Sequence, residues 1–344
     1  MNELNHFSNA NALGPVDWVS AAHEVAARRE RCVLVFVANH KGSTPREKGA
    51  WMLVSVEQNL GTLGGGEVER LVIAKARDLL DEGNDWRRSA DNFQLGPDLG
   101  QCCGGAMTAL FEPVDETSLI WLDDALNLGD GGYILFPTLE PEATPRVVKG
   151  DIPENLSEMA GLHIQPLVDD RPRVVLYGGG HVGRAIAAVA AQMPIRLEVV
   201  DERRGMLAEI PLAENVMRVH RDSPPSHAQE LKGADAVLIM THSHGLDYRL
   251  CQMLLRKPEI TYLGLIGSAT KAARFVSGLS KEGFSVEEIA HLTCPIGATG
   301  PAGKEPGIIA IAALSEIIRV LRSADAKKCM GPTISNRRKE TVDV

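Results

Sequence analysis

Gly178, Gly180 and Gly183 form a G-x-G-x-x-G between the β-rich run RVVLY and a run of helical apolar period, and Asp201 ends the next β-rich run 18 residues later. This spacing suits a phosphate-bearing ligand. The glycines permit a tight turn, close backbone approach and close helix-to-strand packing, and the helix N-terminus offers free N–H groups to an anion. Asp201 can accept from a ribose hydroxyl and would repel a 2′-phosphate. A Rossmann unit follows from the pattern; bound NAD does not follow with it, because the glycines can serve packing alone. His181 opens the helix, either as a ligand contact or as an exposed first-turn residue.

Two further glycine turns lie in the first half. Gly64, Gly65 and Gly66 precede a helix start, where their amides could cradle an oxyanion, although Glu67 and Glu69 compete with any anion there. The loop 39–49 (NHKGSTPREKG) supplies Lys41, Ser43, Thr44, Arg46 and Lys48, donors for a phosphate or an oxidised pterin edge, or a solvated turn. Cys102 and Cys103 are adjacent, so in extended chain their side chains point to opposite faces and one alone serves a given site. No CxxC or HxxxH spacing accompanies them, which argues against zinc. Gly104 and Gly105 leave one sulfur open to a soft ligand or as a thiolate nucleophile; a buried structural cysteine is the plainer reading. The other cysteines, Cys32, Cys251, Cys294 and Cys329, read as core or surface thiols.

In the second half, THSHGLD (241–247) falls at the carboxyl end of a predicted parallel strand, where ligands bind in this fold class. Its HxH with a following acid is a weak match to a metal site, and His242 is the ligand candidate. Ser268, Lys271 and Arg274 share the first turns of a later helix and could fix a phosphate or form a solvated face.

The elements that must carry these residues can be read from periodicity. A chain of 344 residues predicts two domains. In the first, a helix over 16–29 feeds a strand at 32–38 buried on both faces, followed by a strand at 51–56, a helix over 67–82 and a strand through 105–112. In the second, strands at 173–177, 196–201, 235–240 and 260–267 alternate with helices over 181–193, 247–256 and 269–280. That alternation implies a Rossmann-like, doubly wound parallel α/β sheet beside a smaller N-terminal α/β domain. Six prolines in 137–172 place the boundary there. The expected organisation is a first domain over 1–140, a Pro-rich linker over 141–170, the Rossmann-like domain over 171–323 with a last helix over 307–323, and a mobile tail over 324–344.

Net charge is −9, unevenly spread: residues 1–140 carry 11 Lys or Arg against 21 Asp or Glu, and residues 171–323 carry 18 against 15. Nucleic acid is thereby disfavoured as a partner. An anionic ligand in the first half must be held by local donors. No apolar run approaches the roughly 20 residues that span a bilayer, and the N-terminal residues lack the pattern of a secretory signal. With six cysteines and no disulfide-like spacing, a cytoplasmic protein is expected.

GSTPREKGAWMLV (42–54), GTLGGGEVE (61–69), LGQCCGG (99–105), LYGGGHVGRAIA (176–187), VVDER (199–203), MTHSHGLD (240–247), LGLIGSATKAARF (263–275) and the segment from 294 to 318 occur in order across both domains. Together they resemble the xanthine dehydrogenase accessory proteins, the XdhC/CoxI family. The resemblance implies a molybdenum cofactor (molybdopterin) chaperone without turnover of its own. Such a protein shields the cofactor, presents it for sulfuration and delivers it to an apo xanthine dehydrogenase or related molybdenum hydroxylase, with a cysteine desulfurase as second partner and a homodimer as its state. It implies Cys103 as the contact to molybdenum, with Gly64, Gly65, Gly66, Gly104, Gly105, Ser43 and Arg46 around the pterin and its phosphate. Gly178, Gly180, His181, Gly183, Asp201, His242, Ser268, Lys271 and Arg274 are the candidates in the Rossmann domain, which could also take a nucleotide. The competing reading is an NAD-dependent oxidoreductase, with His242 or His244 as general acid.

Overall fold

The strand predicted at 32–38 is apolar throughout because both of its faces are covered. The computed structural model of the protein describes residues 13–81, 87–95, 104–129, 131–153 and 161–329. Its chain divides into two compact units, Met1–Arg171 and Pro172–Val344.

In the first unit, α1 (Asp17–Ala27) leads into β1 (Cys32–Lys41), β2 (Trp51–Ser55), β3 (Asn59–Gly61), α2 (Gly66–Asp81), β4 (Ser89–Gln94), β5 (Ala106–Val114) and α3 (Leu119–Leu128). The strands form an antiparallel sheet in the order β3-β2-β1-β5-β4. Alternation along β1 divides its side chains between two cores. Cys32, Leu34 and Phe36 meet Trp18 and Val25 of α1 and Trp121 and Leu122 of α3. Val33, Val35 and Val37 meet Val68, Val72, Ala76 and Leu79, spaced along one face of α2. The Trp18 ring stands edge-on to Phe36 with centroids 5.0 Å apart, a favoured aromatic geometry.

The stretch expected to be a linker contributes two strands among its described residues. After β6 (Gly132–Pro137), residues 146–149 and 162–167 form β7 (Arg146–Lys149) and β8 (Leu162–Leu167), which flank β6 in the antiparallel order β7-β6-β8. Ile134, Phe136 and Leu167 enter the core of α1 and α3. The prolines misled because Pro137 ends β6 and Pro166 lies on the edge strand β8, where a missing N–H is tolerated. His163 of β8 stacks on Phe36 at 5.6 Å, and burial holds its imidazole down at about 4, so it is a neutral core residue.

Arg88 ties the two sheets together. Its guanidinium pairs with Glu112 of β5 through Nε and, at 3.0 Å, through Nη2, and it also donates to the carbonyls of Pro137 and Ala143 at 2.8 and 3.0 Å. Both side chains are buried.

In the second unit, β9 (Arg173–Tyr177), α4 (His181–Ala190), β10 (Arg196–Asp201), α5 (Arg204–Ala208), β11 (Val216–His220), α6 (Pro224–Glu230), β12 (Ala236–Ile239), α7 (His244–Leu254), β13 (Tyr262–Leu265), α8 (Ala269–Lys281), α9 (Val286–Ala290), β14 (Leu292–Thr293) and α10 (Pro306–Cys329) follow in order. The sheet is parallel throughout and ordered β11-β10-β9-β12-β13-β14, so the strand order reverses between β9 and β12. Ligands bind at that switch point in doubly wound sheets. Val174 and Leu176 face a core with α4 and α10, while Val175 and Tyr177 face one with α6 and α7. The tail expected to be mobile from 324 begins inside α10; residues 330–344 lie outside the described residues. Among the described residues no helix is long and apolar enough to cross a membrane.

Glu198 of β10 is held by His227 Nε2 at 3.1 Å and Arg173 Nη2 at 2.6 Å. The His227 hydrogen bond, then the Arg173 guanidinium, outweigh burial and hold its carboxyl at about 2. A carboxyl depressed on folding stabilises above its unfolded value of about 4.3 and loses that contribution as pH falls toward 2. Acid unfolding of the second unit therefore steepens below about pH 4.3, and Glu198→Gln flattens it, read by circular dichroism against pH. In the first unit, Arg88→Ala strands the Glu112 carboxylate and lowers urea-unfolding stability by about 3–5 kcal/mol, while Arg88→Met with Glu112→Leu recovers most of the loss.

Candidate functional site

In the first unit the segment 42–45 runs between two glycine turns, held close by the side chains those turns lack. A Cβ on Gly105 would lie 2.3 Å from the Ser43 carbonyl oxygen and 2.6 Å from that of Lys41, and one on Gly64 would lie 2.2 Å from Pro45 Cβ. On its other side, the Gly105 carbonyl accepts from the Leu95 amide at 2.8 Å. Gly104 faces open space. The fold thus seats the 42–45 segment on Gly64 through Pro45 and on Gly105 through Ser43, and so fixes the chain leaving Cys103 against Ser43. Cys102 and Cys103 themselves lie outside the described residues.

The 64–66 turn does not present its amides as an anion cradle, which corrects the expectation for Gly64 and Gly65. Glu69 folds back over the start of α2, and its Oε2 accepts from Thr62 Oγ1 at 2.6 Å, the Leu63 amide at 2.8 Å and the Gly65 amide at 3.0 Å. The Gly64 amide donates to Thr62 Oγ1 at 3.0 Å. The chain's own carboxylate therefore fills the place of the oxyanion, as the positive end of a helix favours. The three glycines remain necessary, with φ of +109°, +77° and +73°. Outward donors come from the neighbouring loop. Lys41, Ser43, Arg46 and Lys48 are exposed, and among the described residues the three cations enter no salt bridge.

In the second unit the fingerprint glycines pack as their spacing predicts. A Cβ on Gly183 would lie 2.1 Å from the Gly178 carbonyl oxygen, and one on Gly178, at φ +119°, would lie 2.3 Å from that of Met240. Gly180 is the N-cap of α4, with open space around it, and His181 is exposed. Asp201 departs from expectation. Its carboxylate accepts from the amides of Gly179 and Arg203 and from the Arg203 guanidinium, at 2.8–2.9 Å. Burial would raise its carboxyl, but the Arg203 guanidinium and these amides pull it below the usual range. The ribose acceptor read from the sequence is spent on its own loop.

A cavity of about 300 Å³ opens at the carboxyl ends of β12 and β13, lined by Thr241, His242, His244, Asp247, Ser268 and Lys271 among others. Its floor is a buried ion pair, with Lys271 Nζ 2.6 Å from Asp247 Oδ2 and 2.8 Å from the Ile266 carbonyl, while Asp247 Oδ1 accepts from the Thr241 amide and hydroxyl. Ser268 caps α8 by accepting from the Lys271 amide. His242 Nε2 lies 3.7 Å from Glu202 Oε1. The fold brings His242, Ser268 and Lys271 together; Arg274 is exposed on α8, outside the lining. Sequence reasoning missed the Asp247–Lys271 pair, whose members are 24 positions apart. The metal reading of HxH finds no cage: no three His, Cys, Asp or Glu side chains converge on a metal among the described residues.

Family comparison bears on both units. A family model described as the XdhC Rossmann domain matches residues 174–317, and one described as the XdhC and CoxI family matches residues 25–88. The chain belongs to the XdhC and CoxI family. Within it, the chain is 29% identical over 301 residues to the uncharacterized protein YqeB of Escherichia coli (strain K12), covering 86% of this chain and 45% of that relative, so it spans about half that relative's length. It is 24% identical over 322 residues to a probable xanthine dehydrogenase subunit of Bacillus subtilis (strain 168), covering 85% and 93% of the two chains. It is 21% identical over 304 residues to the molybdenum cofactor insertion chaperone PaoD of Escherichia coli (strain K12), covering 88% and 87%. The crystal structure of a xanthine dehydrogenase from Bacillus halodurans shares the fold with a TM-score of 0.68, at 22% identity over 90% of this chain and 96% of that one. The XdhC and CoxI match takes in the 42–45 segment and the 64–66 turn and stops before Cys103.

The two glycines after Cys103 separate packing from openness. Gly105→Ala drives a methyl group into two carbonyl oxygens and lowers stability by about 1–3 kcal/mol, whereas Gly104→Ala leaves the thermal midpoint nearly unchanged; calorimetry on both variants makes the comparison.

Proposed function

We propose that this protein is a molybdenum cofactor chaperone that matures a xanthine dehydrogenase-type molybdenum hydroxylase. It holds the cofactor as cargo, protects it, presents it for sulfuration by a cysteine desulfurase and delivers it to the apoenzyme. One observation carries the reading. The 42–45 segment packs against the 64–66 turn at Pro45 and against the chain leaving Cys103 at Ser43, in a loop whose three cations are open. The names of two relatives, a molybdenum cofactor insertion chaperone and a probable xanthine dehydrogenase subunit, support the same cargo and client.

The residues suit such a cargo. A pterin is flat and ends in a phosphate, so it needs close backbone approach along one edge and local cations at one end. Gly104 offers the first, while Lys41, Arg46 and Lys48 offer the second within a strongly acidic stretch. In this reading Cys103 supplies a soft sulfur to molybdenum, Ser43 and Arg46 bind the phosphate end, and Gly64, Gly65, Gly66 and Gly105 set the loop geometry. The cavity of His242, Ser268 and Lys271 is a further contact in the Rossmann unit. The protein works as a homodimer in the cytoplasm, without turnover of its own.

Anaerobic incubation with molybdenum cofactor, followed by gel filtration and assay of molybdenum and pterin in the protein peak, tests the reading. Stoichiometric co-elution is expected, lost in Cys103→Ala and retained in Cys102→Ala. An empty wild-type peak would remove the chaperone role, and equal losses in the two variants would remove the assignment to Cys103. Light scattering at the mass of a single chain would exclude the homodimer.

A further inference from the structure

In a Rossmann unit the acid that ends the second strand ordinarily recognises a nucleotide by accepting from its ribose hydroxyls. An ionised carboxylate offers about four acceptor positions. At Asp201 four donors take them: the Arg203 amide and Nε on Oδ1, each at 2.9 Å, and the Gly179 amide and Arg203 Nη2 on Oδ2, each at 2.8 Å. Three of the four belong to Arg203. Asp201 is 4% exposed and the Arg203 side chain 37%, so the guanidinium shields the carboxylate from solvent.

We propose that Arg203 is a specificity-determining residue that locks Asp201 and excludes ribose-diol ligands such as NAD from the glycine turn of this unit. A ribose can reach Asp201 only by displacing a forked, charge-assisted pair held between residues two positions apart, where little chain entropy is recovered on release. The same lock rejects a 2′-phosphate. The Nε–Nη2 edge of Arg203 that would grip a phosphate is already committed, and the pair presents no net charge. This inference concerns the second unit alone and stands apart from the cofactor reading, so the failure of one leaves the other in place.

NADH and NADPH fluorescence titrations of the full-length wild type, Arg203→Ala, Arg203→Lys and the double variant Arg203→Ala with Asp201→Asn test the lock, with a thermal melt of each. Wild type is expected to bind neither nucleotide. Arg203→Ala is expected to bind NADH at least about tenfold more tightly than wild type, the worth of one or two charge-assisted hydrogen bonds, and to prefer it to NADPH because the freed carboxylate repels a 2′-phosphate. The double variant loses the gain. Arg203→Lys keeps the charge without the fork and shows a smaller gain in the same direction; it decides the matter if Arg203→Ala fails to fold. Wild-type binding of NADH as tight as that of Arg203→Ala would overturn the lock. So would wild-type binding of NADPH, which would make Arg203 a phosphate receptor. A folded Arg203→Ala that still ignores NADH would also overturn it, by showing that Asp201 is not the determinant.

Discussion

Both units depend on pairs of backbone segments that lie closer than any Cβ would allow. Where Gly183 meets the Gly178 carbonyl, a hydrogen stands in place of a methyl group, and α4 can rest directly on the turn that follows β9. Gly178 in turn lies against the Met240 carbonyl at the end of β12, so one residue fixes both the helix and the neighbouring strand across the switch point. In the first unit Gly105 does the same against Ser43 and Lys41. Interiors pack densely enough that a single added methyl group is felt, and the candidate sites sit on these contacts.

Charge follows a common rule in the two units. Three carboxylates near the candidate sites face inward: Glu69 onto the amides of its own turn, Asp201 onto Arg203 and Gly179, Asp247 onto Lys271 and Thr241. The cations of the 41–48 loop face outward. A stretch with an excess of ten negative charges over residues 1–140 can therefore still offer an anion a favourable local surface, because Glu69 is satisfied by its own turn and Lys41, Arg46 and Lys48 stand exposed beside it.

Elements with strong periodicity were legible. The strands at 173–177 and 196–201 match β9 and β10 residue for residue, and the parallel α/β class follows from the alternation. Elements were missed where the signal was short or mixed. β11 (VMRVH) spaces its two valines three positions apart and so lacks the strand period, and β6–β8 sit among prolines that mark strand ends and edges as readily as linkers. The site was legible as pieces and not as an arrangement. Nothing local tells that Ser43 and Gly105, more than sixty positions apart, touch. The Asp201 lock was nearer to hand: an Arg two residues after the fingerprint acid is in the sequence, but its rotamer is a property of the folded loop.

Phe36 of β1 contacts the rings of Trp18, Phe136 and His163, which come from α1, β6 and β8. One face of the small sheet of the first unit, through Ile134, Phe136 and Leu167, is therefore an outer layer of the large sheet's own core, and its other face keeps only the small cluster of Tyr133, Leu135 and Ile164. Parting β6 and β8 from β1 would uncover Phe36, so opening of the small sheet, on the timescale of amide exchange, costs the large sheet part of its core.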